Sequence, residues 1–237
     1  MIDLYVEMSP AIFKAAMMLE ECGLAYNPIY NSISEGRQHT PEFRALNPNG
    51  KMPVIVDHAP ADGGPPQVVF DSGAILVYLA EKTGKLLAAE SRRRSETFQW
   101  LFWQASGLSP FSGQAIHFIR YAPDETKPYG QLRYLGEVRR HWGVLDVHLA
   151  GRDWIAGDYS IADIGTYPWV NMYDRYGYTL ADFPNVERWW KAVGERPAVK
   201  RAYERVLGCR TAAASVTPDQ FNRNLFGEAA AKAMAKP

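Results

Sequence analysis

Only two cysteines occur in the 237-residue chain, Cys22 and Cys209, near its opposite ends and in no C-x-x-C pair. That spacing excludes a thioredoxin-type dithiol and a disulfide-stapled scaffold, so any redox thiol must be brought by another molecule. Histidine is sparse too. His39, His58, His117, His141 and His148 show no paired ligand spacing such as H-E-x-x-H, and no metal is expected. Neither sign of charge is in excess, with 26 Lys and Arg against 26 Asp and Glu, so no overall field favours nucleic acid or an anionic membrane. The SRRRSE run at 91–96 reads as a solvated helix start. Long apolar runs are missing: no window approaches roughly 18 uninterrupted apolar residues, and MIDLYVEM lacks a basic segment ahead of an apolar one. A cytoplasmic protein with no membrane or nucleic-acid partner is expected.

What is present is an ordinary globular composition, 47% apolar and 22% charged, which makes disorder a poor description. Its distribution changes near residue 90. All seven tryptophans (Trp100, Trp103, Trp142, Trp154, Trp169, Trp189 and Trp190) follow that point, whereas alternating strands and turn chemistry precede it. IDLYV predicts a strand, PAIFKAAMMLEECG a helix closed by Gly23, and AYNPIYNSI a second strand interrupted by Pro28. PEFRALN predicts a short helix, MPVIVDH a strand, ADGGPP a loop, QVVF a strand, and SGAILVYLAEKTG a helix ended by Gly84. The expected order is β-α-β-α-β-β-α. Beyond residue 90 helical spacing dominates, in segments around 91–120, 126–150, 160–175 and 184–207. From Cys209 the chain reads as a mobile tail or a short docked helix, with FNRNLF packing on the body.

Three stretches carry candidate chemistry. Ser9 followed by Pro10 has the form of an N-cap with proline in the first turn. In NPNGKMPV, Met52 is held extended by Pro53 and can offer backbone N–H and C=O to an extended peptide; a cis Met52–Pro53 bond would direct those groups outward. In FDSGAILVYL, Ser72 reads as the N-cap of a helix whose N–H groups and dipole suit a carboxylate, and Asp71 beside it suits an ammonium group. Together they form a receptor for an α-amino acid head. Read one at a time, each stretch is equally an ordinary loop proline or a capped helix beside a surface acid. Ser160 and Asp163, in YSIADI, read as a shortened capping box that folds the helical part.

In combination the stretches are more specific. NPNGKMPVIVD followed by VVFDSGAILVYLAEKTG resembles the glutathione-binding half of a glutathione transferase, and YSIADI resembles a helix start of the same superfamily's helical domain. DHAPADGGPP, MIDLY and QWLFWQ further resemble the bacterial Nu class and a fungal nitrogen-regulator-like group. The resemblance covers about residues 1–208. It implies a thioredoxin-like domain over 1–87 with a cis proline at Pro53, an all-helical domain over 91–208 and a C-terminal extension over 209–237, usually assembled as a homodimer.

The resemblance also implies site residues. Met52 would pair with the cysteinyl backbone of glutathione, Asp71 and Ser72 would hold its γ-glutamyl end, Gln38 with Lys51 nearby would hold its glycyl end, and Arg133 would be a further ligand. Nu-class members carry Thr-Pro-Asn where this chain has Ser9, Pro10 and Ala11, so the hydroxyl is kept and the amide lost; Phe13 is expected to make that turn more apolar. Ser9 stands between two roles, thiol stabiliser and helix cap. The implied activity is glutathione-dependent: glutathione as co-substrate, no metal, and reduction of a disulfide or transfer to a small electrophile, with one oxidised or two reduced glutathiones in the cleft. Two alternatives stay open, conjugation or lyase chemistry on an aromatic substrate, and a non-catalytic binding protein that kept only the fold.

Overall fold

A computed structural model describes residues 1–209 and 217–227. The chain divides into two compact units, one formed by Met1–Tyr78 with the described residues from Arg201 onward, the other by Leu79–Lys200.

The first unit is built on four strands: β1 (Ile2–Val6), β2 (Tyr26–Tyr30), β3 (Val54–Asp57) and β4 (Gln67–Phe70). Their order across the sheet is β2-β1-β3-β4, with β2 parallel to β1 and the other pairs antiparallel. Strand alternation sends Ile2, Leu4 and Val6 of β1 into the core. Pro28 does not interrupt its strand, as the sequence suggests it should. β2 runs through it, in register with Leu4, because an edge strand has one side with no ladder to feed.

Helix α1 (Pro10–Cys22) starts at Pro10, whose missing N–H costs nothing in a first turn, and stops at Gly23 in the left-handed conformation. Helices α2 (Pro41–Leu46) and α3 (Ser72–Thr83) complete the expected β-α-β-α-β-β-α order, with a short 3-10 turn at Arg37–His39 between β2 and α2. The Met52–Pro53 bond is cis, as the resemblance implies. The fold is thioredoxin-like in this unit and helical in the other, as expected.

The second unit contains α4 (Ser91–Trp103), α5 (Ser109–Arg120), α6 (Lys127–His148), α7 (Ile161–Val170) and α8 (Pro184–Gly194). The helix expected over 91–120 is two, joined by a single wide π turn at Gln104–Leu108. Trp142 and Trp189 are fully buried at its centre. Ser160 and Asp163 form the expected capping box. The Ser160 hydroxyl accepts from Ala162 N at 3.2 Å, and Asp163 Oδ2 accepts from Ser160 N at 3.0 Å. Asp163 does more than cap, since its other oxygen accepts from Ile155 N at 3.0 Å and from the Trp189 indole at 2.8 Å.

Linear sequence boundaries and compact units differ at both ends of the helical region. Helix α9 (Pro197–Gly208) lies mostly in the first unit. There Tyr203 stacks on Phe13 with ring centroids 4.1 Å apart, Arg201 and Arg205 pair with Glu20, and Arg205 donates to the Tyr26 carbonyl. Phe13 is therefore a core residue of α1, and it does not make the Ser9 turn more apolar as the sequence suggested. FNRNLF belongs to a helix, α10 (Pro218–Phe226), also in the first unit. The alanine-rich EAAAKAMAKP end lies outside the described residues. Among the described residues no helix is long and apolar enough to cross a membrane, and no group of three or more His, Cys, Asp or Glu is placed to hold a metal.

Candidate active site in the thioredoxin-like unit

The loop between α2 and β3 is folded by a residue the sequence reading passed over. Asn47 is buried; its side-chain oxygen accepts from Asn49 N at 2.9 Å, its amide donates to the Lys51 carbonyl at 2.6 Å, and its own carbonyl accepts from Gly50 N at 2.9 Å. Its signal was present in NPNG, where an asparagine two residues before another amide forms an Asx turn. Gly50 sits at φ +63°, a conformation that favours glycine, and the Arg44 guanidinium packs against it. The result is a braced turn that presents Lys51 and Met52 at the mouth of β3.

These two residues line two cavities. The first is bounded by Ala11, Asn47 and Asn49 on one side and by Pro53, Phe70, Asp71 and Ser72 on the other, with Lys51 and Met52 between. The second is bounded by Ser9, Ile12, Ile33, Gln38, Gly50 and Leu225, again with Lys51 and Met52. Every lining residue belongs to the first unit. Seven of the expected site residues are thus gathered: Pro53, Asp71 and Ser72 at the first cavity, Ser9 and Gln38 at the second, Lys51 and Met52 at both. Arg133 lies in the helical unit on α6, where it pairs with Glu137 at 2.7 Å and sits over the Phe111 ring.

The start of α3 corrects the expected capping. Asp71, not Ser72, is the N-cap: its Oδ1 accepts from Gly73 N at 2.9 Å and Ala74 N at 3.3 Å, and its carbonyl accepts from Ile75 N. Two N–H groups of the first turn are therefore already used, and Ser72 contributes its own N–H and hydroxyl as the first helical residue. Asp71 also adopts φ +71°, a conformation uncommon outside glycine and better tolerated by Asp and Asn than by other side chains. Capping uses one carboxylate oxygen and leaves Oδ2 for a ligand.

A second unexpected feature is Lys14, buried on α1 and under the electrostatic influence of Asp71. Burial pushes its ammonium down to about 7, and the negative charge of Asp71 works against that shift. Its signal in the sequence was weak, a single lysine on an otherwise apolar helix face.

Ser9 occupies the N-cap position of α1 with extended backbone, and its carbonyl accepts from Ile12 N at 3.1 Å. Its side chain makes no capping hydrogen bond. The hydroxyl that the sequence left between two roles is therefore not committed to the helix, and it borders the second cavity. Gln38 is buried on the 3-10 turn, with its amide nitrogen donating to the Asn224 carbonyl of α10.

Two family models match the chain, the glutathione S-transferase N-terminal domain over residues 8–82 and the glutathione S-transferase C-terminal domain over residues 110–197. The disulfide-bond oxidoreductase YfcG of Escherichia coli is 48% identical over 203 residues, which is 85% of this chain and 94% of that protein. A glutathione transferase from Burkholderia graminis, crystallised with two glutathione molecules per subunit, is 42% identical with a TM-score of 0.80, over 86% of this chain and 87% of that one. Another from Pseudomonas putida, with one glutathione disulfide per subunit, is 40% identical with a TM-score of 0.78, over 85% of this chain and 90% of that one. On sequence, on fold and on the residues gathered at these two cavities, the chain belongs to the glutathione S-transferase family.

Proposed function

We propose that the chain is a glutathione-dependent enzyme that reduces disulfides of small molecules with the thiol of bound glutathione. The observation that carries this reading is the first cavity, whose wall is formed by Asp71, Ser72 and Met52 at the N-terminus of α3. An ammonium and a carboxylate on one carbon, the γ-glutamyl head, match that pairing in sign. Met52 offers backbone groups to the cysteinyl residue, Pro53 shapes the loop behind it, and Lys51 and Gln38 take the glycyl carboxylate. Arg133 is assigned as a further ligand from the resemblance. YfcG is a disulfide-bond oxidoreductase and the Pseudomonas putida protein holds glutathione disulfide, which supports disulfide chemistry over conjugation.

The reaction balances without a protein cysteine. A glutathione thiolate attacks one sulfur of the substrate disulfide and expels the other as a thiolate, leaving a mixed disulfide. A second glutathione attacks the glutathione sulfur of that mixed disulfide, giving oxidised glutathione and a second substrate thiol, so two glutathiones are oxidised for each disulfide reduced. The chain's part is to bind the tripeptide and hold its sulfur as thiolate. Ser9 at the start of α1 donates its hydroxyl to that sulfur, with the helix dipole in support.

Replacing Ser9 by alanine is expected to lower kcat by about tenfold or more at saturating glutathione, the worth of one hydrogen bond to a charged group. Turnover unchanged under those conditions would return Ser9 to a merely structural place. The reading as a whole is tested by calorimetric titration with oxidised and reduced glutathione side by side. Tighter binding of the oxidised form supports the disulfide reductase, binding of the reduced form alone favours transfer to an electrophile, and no binding of either removes the enzyme reading.

We also assign a homodimer, on the strength of large apolar side chains left exposed on the helical unit: Phe102 on α4 and Tyr129, Leu132 and Val147 on α6. A cytoplasmic location is assigned on Cys22 and Cys209, which form no disulfide with each other.

A further inference from the structure

We propose that α10 is a built-in competitor for glutathione, its Asn224 carbonyl occupying the donors that would receive the glycyl carboxylate. This rests on the glutathione reading above and adds a regulation of the same site.

The competition follows from which groups donate. Asn224 O accepts from Gln38 Nε2 and lies 2.8 Å from His39 Nε2. The tautomer of His39 is set by its neighbour. Arg44 Nη2, which has only protons to offer, points at Nδ1 from 3.2 Å, so Nδ1 is the acceptor and Nε2 carries the hydrogen. Two side-chain N–H groups therefore converge on one carbonyl oxygen, the arrangement that a carboxylate oxygen would use. The same orientation of Gln38 leaves its Oε1 buried with no partner among the described residues.

The rest of α10 is shaped to hold this position. The Asn224 side chain donates to the Ser34 carbonyl at 2.6 Å. Gly36 lies against it, where a Cβ would stand 3.2 Å from Asn224 Oδ1. Thr217 caps the helix by accepting from Gln220 N. One residue further on, Leu225 forms a wall of the second cavity together with Ser9 and Met52. The occupant is thus a segment of the chain itself, held at Asn224 by Gln38, His39 and Ser34 and bordering the second cavity through Leu225.

A ligand that needs the same donors sees only the fraction of molecules in which α10 is undocked, so its apparent affinity is reduced by that fraction. If α10 is docked in nine molecules of ten, undocking it tightens binding about tenfold. The test uses the full chain. Asn224→Ala combined with Leu225→Ser removes the anchor to Ser34 and the apolar wall, and reduced glutathione is titrated calorimetrically into this variant and the native chain. Backbone amide exchange over 221–227 is followed in the native chain with and without saturating glutathione. The expected results are a Kd at least about fivefold lower in the variant and faster exchange of those amides in the native chain when glutathione binds. Equal or weaker binding by the variant, or slower exchange on binding, would show that α10 is indifferent or closes over the ligand, and would overturn the competition while leaving the glutathione reading intact. No binding to either chain overturns both.

Discussion

Asp71→Asn is expected to weaken glutathione binding by about tenfold or more while leaving the thioredoxin-like unit as stable as before. Asparagine is the informative replacement because it keeps the helix cap and the backbone conformation and removes only the charge, which also acts on buried Lys14. Its side-chain oxygen can still accept from Gly73 N and Ala74 N at the start of α3. It also tolerates the left-handed backbone at φ +71°. What it loses is the negative charge assigned to the ligand's ammonium group. A charge-assisted hydrogen bond contributes about 1.5–3 kcal/mol, and the exposure of Asp71 places the effect at the lower end of that range. Titration calorimetry against urea unfolding separates the two roles: Kd should rise and the unfolding midpoint should hold. Asp71→Ala removes the cap as well and should add a stability loss of about 1 kcal/mol. An unchanged Kd for the asparagine variant would remove Asp71 from the site and leave it a helix cap.

Asp163→Ala should destabilise the helical unit by about 4 kcal/mol. The carboxylate is wholly buried and serves Ile155 N, Ser160 N and Trp189 Nε1 at 3.0, 3.0 and 2.8 Å. Truncation strands three donors, each costing about 1–3 kcal/mol, of which partial rearrangement recovers some. Trp189 reports the event, since its indole loses its partner, and urea unfolding followed by tryptophan fluorescence gives the magnitude. A loss below about 1 kcal/mol would mean that the donors find other acceptors.

The same residue makes a pH prediction. Burial raises the Asp163 carboxyl from 3.8 to about 6, with the Ile155, Trp189 and Ser160 hydrogen bonds pulling the other way. Between those values the folded state holds a proton that the unfolded state has released, so this group's contribution is complete below 3.8 and is lost as pH rises through about 6. The native chain should show that falling component in its unfolding free energy over this interval, and Asp163→Ala should lack it.

Much of this architecture was legible from local signals. Proline at a first helical turn, glycine after a last one and strand alternation are short-range effects, and they predicted seven elements of the first unit in their order. Pro28 was misjudged because the tolerance of a strand for proline depends on whether it lies at an edge, which only the sheet order reveals. The break at Gln104–Leu108 was missed for a related reason: a π turn keeps helical backbone and helical spacing, so the pattern does not change across it. Phe13 was expected to make the Ser9 turn more apolar, yet its partner Tyr203 lies 190 residues away and makes it core.

The site divides along the same line. The sequence by itself determined the family, seven of the residues that line the two cavities and the lack of a protein dithiol, because each rests on a short run of neighbouring residues whose chemistry is local. Tertiary structure alone decided that Asp71 and not Ser72 caps α3, that the Ser9 hydroxyl is free of capping, and that α10 returns to Gln38 with its Asn224 carbonyl. Those outcomes depend on φ at one residue, on the direction of one hydroxyl and on a contact spanning 186 positions. None of them leaves a trace in the composition or periodicity of the segments concerned, because they are settled by which groups meet once the chain has folded.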